Sequence, residues 1–188
     1  MTQPLKQPLK QPMKQPMKQK GRPLPGADRI DDLVKAVEGG WKHEVDGIDV
    51  QAVGLFTRIF VLARLEAVFY EHALAETERN STEHYVLAMI RALGPRSPTE
   101  LNVALIQTSG GVTNTLTRLE KAGLVTRQRV GSDRRAVEVR LTAAGRKEAD
   151  RTMAVVGKAM HDKAAALPRR KREESNRALD ELIAALLE

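Results

Sequence analysis

The chain has 188 residues, 41% of them hydrophobic but only 3% aromatic, with no cysteine and a formal net charge of +7. That length suits one domain with a tail, the aromatic-poor composition points to helical packing rather than a sheet sandwich, and the lack of cysteine excludes disulfides, thiolate zinc sites and cysteine-based redox sensing. The charge is unevenly placed: Lys6, Lys10, Lys14, Lys18, Lys20 and Arg22 precede the first acidic residue, leaving about +1 for the rest (+7 less 6), so overall basicity is weak evidence for a nucleic-acid partner.

Residues 3–18 are four tandem tetrads, Gln-Pro-Leu-Lys twice and Gln-Pro-Met-Lys twice. A proline at every fourth position blocks a helix, so residues 1–26 are expected to be a flexible arm. It reads either as a solvated tail or as a set of nonspecific phosphate contacts. It has no apolar run of the kind a secretory signal needs. The longest apolar stretch, Val53 to Tyr70, is interrupted by Arg58, Arg64 and Glu66, which argues against a membrane span. A cytoplasmic location is expected.

A short helix is expected from Asp28 to Val37, stopped by Gly39-Gly40, with Trp41 in the following loop. A longer helix spans about Ile48 to Ala75. Its apolar residues, Val53, Leu55, Phe56, Ile59, Phe60, Leu62 and Phe69, cover more than one stripe, so it needs partners on several sides, a second subunit among them. Asn80 and Glu83 stand at N-cap and N3 spacing for a helix to Leu93, closed by Gly94-Pro95.

Ser97-Pro98-Thr99-Glu100 is a capping box with proline at the first helical position. The helix it opens is expected to face inward through Leu101, Ala104 and Leu105. The small residues Thr108-Ser109-Gly110-Gly111 break that helix and start another, to about Ala122, with Gly123 as a left-handed stop. Two short helices joined by a tight turn make a helix-turn-helix candidate. On the second, Val112, Leu116 and Leu119 recur at helical spacing, leaving Thr113, Asn114, Thr117 and Arg118 outward, where base edges would be met.

Leu124–Arg129 and Ala136–Leu141 read as two strands of a hairpin with a charged tip. Arg127, Arg129, Arg134, Arg135 and Arg140 gather guanidinium groups that can fork onto phosphates or enter a minor groove. Thr142 can cap a long helix to about Ala166. After Pro168 a last helix, roughly Arg170 to Leu187, carries the stripe Leu179, Leu182, Ile183 and Leu186. One subunit offers little for that stripe to cover, so a two-fold dimer through the terminal helices is expected. The fold class is mostly α with a small β-hairpin wing, a winged helix-turn-helix. It divides into the arm (1–26), N-terminal helices for dimerisation and a ligand-pocket wall (27–79), a DNA-binding lobe (80–141) and C-terminal dimerisation helices (142–188).

The runs Thr108-Ser109-Gly110-Gly111-Val112-Thr113, Arg118-Leu119-Glu120-Lys121-Ala122-Gly123-Leu124-Val125, Asp133-Arg134-Arg135 and Leu141-Thr142-Ala143-Ala144-Gly145-Arg146 stand in order and spacing. In them the chain resembles the MarR (multiple antibiotic resistance regulator) family, from about Ile48 onward. The resemblance implies a dimeric, ligand-responsive regulator, a repressor of transcription, that binds double-stranded DNA. It places Thr108, Ser109, Gly110, Thr113, Asn114, Thr117 and Arg118 at the major groove, and Arg134 and Arg135 at the neighbouring minor groove. Trp41 before the long helix, together with Ser109-Gly110, is similar to the family branch that answers to urate and related small anions. That branch carries an Asp near the position of Tyr85 and an Arg near Thr115. Their replacement here favours another organic anion or aromatic acid as effector.

Trp41, His43, Arg58 and Tyr85 are the candidate ligand residues, offering stacking, hydrogen bonds and an anion partner. His72, His84 and His161 lack metal-ligand spacing, and no metal or cofactor is expected. No nucleophile-base motif or phosphate-cradling glycine loop suggests an enzyme. The competing reading is a sequence-tolerant architectural DNA binder that works through the basic arm.

Overall fold

A computed structural model of the chain describes residues 27–42, 45–106, 109–130 and 137–187. The repeat arm, His43, Thr108, and the wing tip with Arg134 and Arg135 lie outside the described residues.

Helix α1 (Ala27–Trp41) runs through Gly39 and Gly40 instead of stopping at them, and Trp41 is its last residue. Glycine costs a helix interior only about 0.5–1 kcal/mol, and α1 is held by packing on α2 (Val50–Ala73), with Val34 buried. Gly54 of α2 lies directly beneath Glu38 of α1, where a Cβ would collide with the Glu38 carboxylate. Helix α2 starts two residues later than expected because Asp49 caps it, its carboxylate accepting from Gln51 N at 2.9 Å and Ala52 N at 3.1 Å. Among the described residues no helix is long and apolar enough to cross a membrane.

Helices α3 (Ser81–Leu93) and α4 (Pro98–Ala104) both open with the expected reciprocal capping boxes, Asn80 with Glu83 and Ser97 with Glu100. Helix α5 (Ser109–Lys121) is followed by Gly123 at φ +70°, a left-handed position that lets the chain turn directly into β1 (Val125–Arg129). Strand β1 pairs antiparallel with β2 (Val137–Leu141), Val125 opposite Leu141 and Arg127 opposite Val139. The backbone of Arg96 bridges β2 at Val139, tying the α3–α4 connection to the hairpin.

Thr142 joins the hairpin to α6 (Ala143–Ala164). Its hydroxyl donates to Gly123 O at 2.7 Å and accepts from Gly145 N at 2.9 Å. Gly145 packs so closely on Leu124 that a Cβ would strike its carbonyl oxygen. Helix α7 (Arg169–Leu187) contains no buried residue.

The main core lies inside the winged helix. Val86, Leu87 and Ile90 of α3, Leu101 of α4, Val112, Leu116 and Leu119 of α5, Val125 and Val139 of the strands and Ala149 of α6 form one buried cluster. Ala104, expected to face inward, is exposed because α4 ends there; Leu105 turns in to pack on the cluster instead. A smaller cluster of Tyr70, Leu74 and Val156 joins α2 to α6.

Candidate nucleic-acid interface

The helix-turn-helix is built on two-faced helices. Leu101 anchors α4, and Val112, Leu116 and Leu119, with no exposed surface, anchor α5. The turn passes through Ile106, a β-branched residue at φ +47° that is almost fully exposed, a backbone conformation such residues rarely adopt.

Packing on three sides leaves one polar face of α5 outward. Gly110, Gly111, Thr113 and Asn114 are exposed, and α5 begins at Ser109. The Thr117 hydroxyl donates to Thr113 O at 2.9 Å, which keeps that side chain close to the helix, and it also lies 3.5 Å from Arg127 Nη2 of β1. Thr115 is buried, its hydroxyl spent on Gly111 O at 3.0 Å.

Arg118 is 56% exposed, yet its Nε lies 3.3 Å from Oε1 of the buried Glu83. Glu120, two residues further along α5, pairs instead with Arg127 at 3.7 Å. At the stem of the wing Arg140 donates to Glu138 at 2.7 Å. What sequence reasoning missed is Glu83, legible only as a cap, and Arg79, which reaches both Glu83 and Glu148.

The described candidate ligand residues, Trp41, Arg58 and Tyr85, fall into two places within one chain. Trp41, 47% exposed, ends α1, and on the neighbouring helix Arg58 Nη1 donates to Glu38 at 2.9 Å. The Tyr85 hydroxyl instead donates to the Glu66 carboxylate, and Glu66 lies eight residues, about 12 Å, along α2 from Arg58 at 1.5 Å per residue. Burial, then the Glu66 carboxylate, pushes the Tyr85 phenol well above its ordinary range. Its ring packs on Tyr70 at 4.8 Å and beside His84 at 5.9 Å. His84 is buried, with Nδ1 3.1 Å from Thr152 Oγ1 of α6, and burial holds its pKa below the usual histidine range. Between α2 and α6 lies an open, mostly apolar groove of about 590 Å³, edged by Glu66 and Lys163.

Residues 79–136 match the model of the MarR family. The chain is 31% identical over 113 residues to the HTH-type transcriptional regulator PecS of Dickeya dadantii, covering 56% of this chain and 65% of that one. It is 30% identical over 94 residues to the uncharacterized HTH-type transcriptional regulator YkoM of Bacillus subtilis, covering 48% and 61%. The matched regions therefore span somewhat less than two thirds of these relatives. Among solved structures, mutant MarR from E. coli complexed with operator DNA superposes with a TM-score of 0.64 at 22% identity, over 70% of this chain and 95% of that one. The fold is thus the winged helix-turn-helix, and residues 79–136 are the part of this chain that is similar to the MarR family.

Proposed function

We propose that the chain is a homodimeric, DNA-binding transcriptional regulator of the MarR type, a repressor that leaves a pseudo-palindromic operator when a small organic anion or aromatic acid binds. The observation that carries this reading is α5 itself: apolar residues without exposed surface on one side, and Gly110, Thr113 and Asn114 exposed on the other. A rigidly anchored helix with short polar groups near its start is what base-edge reading in a major groove requires. The names of the relatives and the operator DNA bound to the E. coli MarR mutant support the same reading.

In this assignment Thr108, Ser109, Gly110, Thr113, Asn114, Thr117 and Arg118 are the residues that meet the major groove. Arg134 and Arg135 of the wing reach the minor groove. Residues 80–141 form the reading lobe, and the helices of 27–79 and 142–188 form the dimer. Support for the dimer comes from α2, where Phe56, Phe60 and Leu62 are exposed, and from α7, where Leu179, Ile183, Leu186 and Leu187 are exposed. Apolar surface of this extent marks an interaction site. A two-fold pair presents two reading helices about 34 Å apart, one turn of DNA.

The effector role is assigned to Trp41, His43, Arg58 and Tyr85. The exposed Trp41 face supports it as a stacking surface and the Arg58 cation as an anion partner. A mobility-shift titration with the DNA upstream of the chain's own gene tests the regulator. Binding at low salt, weakened strongly by Arg134→Ala with Arg135→Ala and reversed by an acid that also raises the melting temperature, is the expected outcome. No binding at low salt contradicts it.

A further inference from the structure

A ladder of alternating charges crosses the lobe from α6 to α5. Arg151 holds Glu148 with two hydrogen bonds of 2.9 Å, from Nε and Nη2. Arg79 Nε lies 3.3 Å from Glu148 Oε1, an ionic contact misaligned for a hydrogen bond. Arg79 Nη1 lies 3.7 Å from Glu83 Oε2, and Glu83 Oε1 lies 3.3 Å from Arg118 Nε. The three central side chains, Glu148, Arg79 and Glu83, are 16%, 13% and 8% exposed. Ionic contacts so far removed from water are little screened by salt.

Each rung is held by something else. Glu83 Oε2 also accepts from Asn80 N at 3.3 Å, fixing the carboxylate to the start of α3, and Arg79 Nη2 reaches Glu78 at 3.3 Å. Removing one partner of such a set leaves the next charge buried and uncompensated, so the members act together. The exposed end, Arg118, lies one turn beyond Asn114 on α5. The other end lies on α6, the helix that leads from the hairpin to α7.

We propose that Glu148, Arg79 and Glu83 are positioning residues whose ionic ladder fixes the register of α5 against the lobe, so that the placement of α6 sets how α5 meets DNA. The DNA-reading part rests on the function proposed above for α5; the coupling of α6 to α5 does not. Spatial continuity alone does not demonstrate coupling, and energetic non-additivity does.

The test is a double-mutant cycle on the full chain with Glu148→Gln and Arg118→Gln, two residues not in contact. The probe is a duplex selected by the wild-type protein from a random-sequence pool. Each single variant is expected to weaken binding about tenfold, and the double variant no more than about twofold beyond the weaker-binding single variant. Losses that multiply, or equal weakening on random-sequence duplex, overturn the proposal. Glu148→Asp replaces Glu148→Gln if the latter fails to fold. Amide exchange in the free protein provides a readout independent of DNA: faster exchange across residues 111–121 in the Glu148 variant, with α3 unchanged, supports the ladder, and unchanged exchange in α5 overturns it. A wild-type chain that selects no duplex counts against the regulator reading, while the exchange result still decides the ladder.

Discussion

The winged-helix lobe and the helices that flank it are built on opposite principles. In the lobe, five successive elements and the start of α6 bury one continuous cluster. In the flanks, α7 buries nothing of its own and α2 leaves Phe60 66% exposed. The lobe needs no second chain to complete its core, whereas the flanking helices have apolar faces that one chain does not cover. Stability is therefore expected to reside in the lobe and association in the flanks, and single substitutions can separate the two.

The largest effect is expected in the lobe core. Leu116→Ala removes a side chain with no exposed surface and should cost about 2–5 kcal/mol, read as a lower denaturant midpoint. The matching change on α7, Ile183→Ala, should leave lobe stability nearly unchanged and shift the concentration dependence of association seen by sedimentation. Equal effects on both readouts would break the comparison. Gly145→Ala tests the junction: its Cβ meets the Leu124 carbonyl, and overpacking of this kind typically costs about 1–3 kcal/mol. Ser97→Ala removes the acceptor at 3.2 Å for Glu100 N and should cost about 1 kcal/mol.

The smallest effect is a pH slope. Burial lowers the His84 pKa in the folded state, so the folded protein binds fewer protons there than the unfolded chain. The stability this contributes is present above the unfolded pKa, near 6.5, and is lost as pH falls through the folded value. Denaturant melts across that window should show stability declining with acidity, with a shallower decline in His84→Gln. An identical decline in both would remove His84 as the source.

What the sequence made legible was mostly local. The capping pairs at Asn80, Ser97 and Thr142 are decided by residues three apart, and each forms as expected. The 3.6-residue pattern of Val112, Leu116 and Leu119 likewise identified the buried side of α5. Gly39-Gly40 misled because local propensity there is overridden by packing of α1 on α2. The partner of Arg118 was hidden for a different reason: Glu83 is 35 residues away, and charge pairing at that distance leaves no periodic trace. Tyr85 of α3 and Arg58 of α2 stood together as candidate ligand residues by their chemistry, but their carboxylate partners, Glu66 and Glu38, hold them at different levels of α2.

The central claim is that the polar face of α5 reads DNA sequence. Fluorescence anisotropy with a duplex selected by the wild-type chain and with random-sequence duplex, each at two salt concentrations, tests it most directly in Thr113→Ala with Asn114→Ala. The account predicts that this variant loses about tenfold or more of its preference for the selected duplex while its salt-dependent binding to random sequence persists. An unchanged preference, or a wild-type chain that binds every duplex equally, would contradict it.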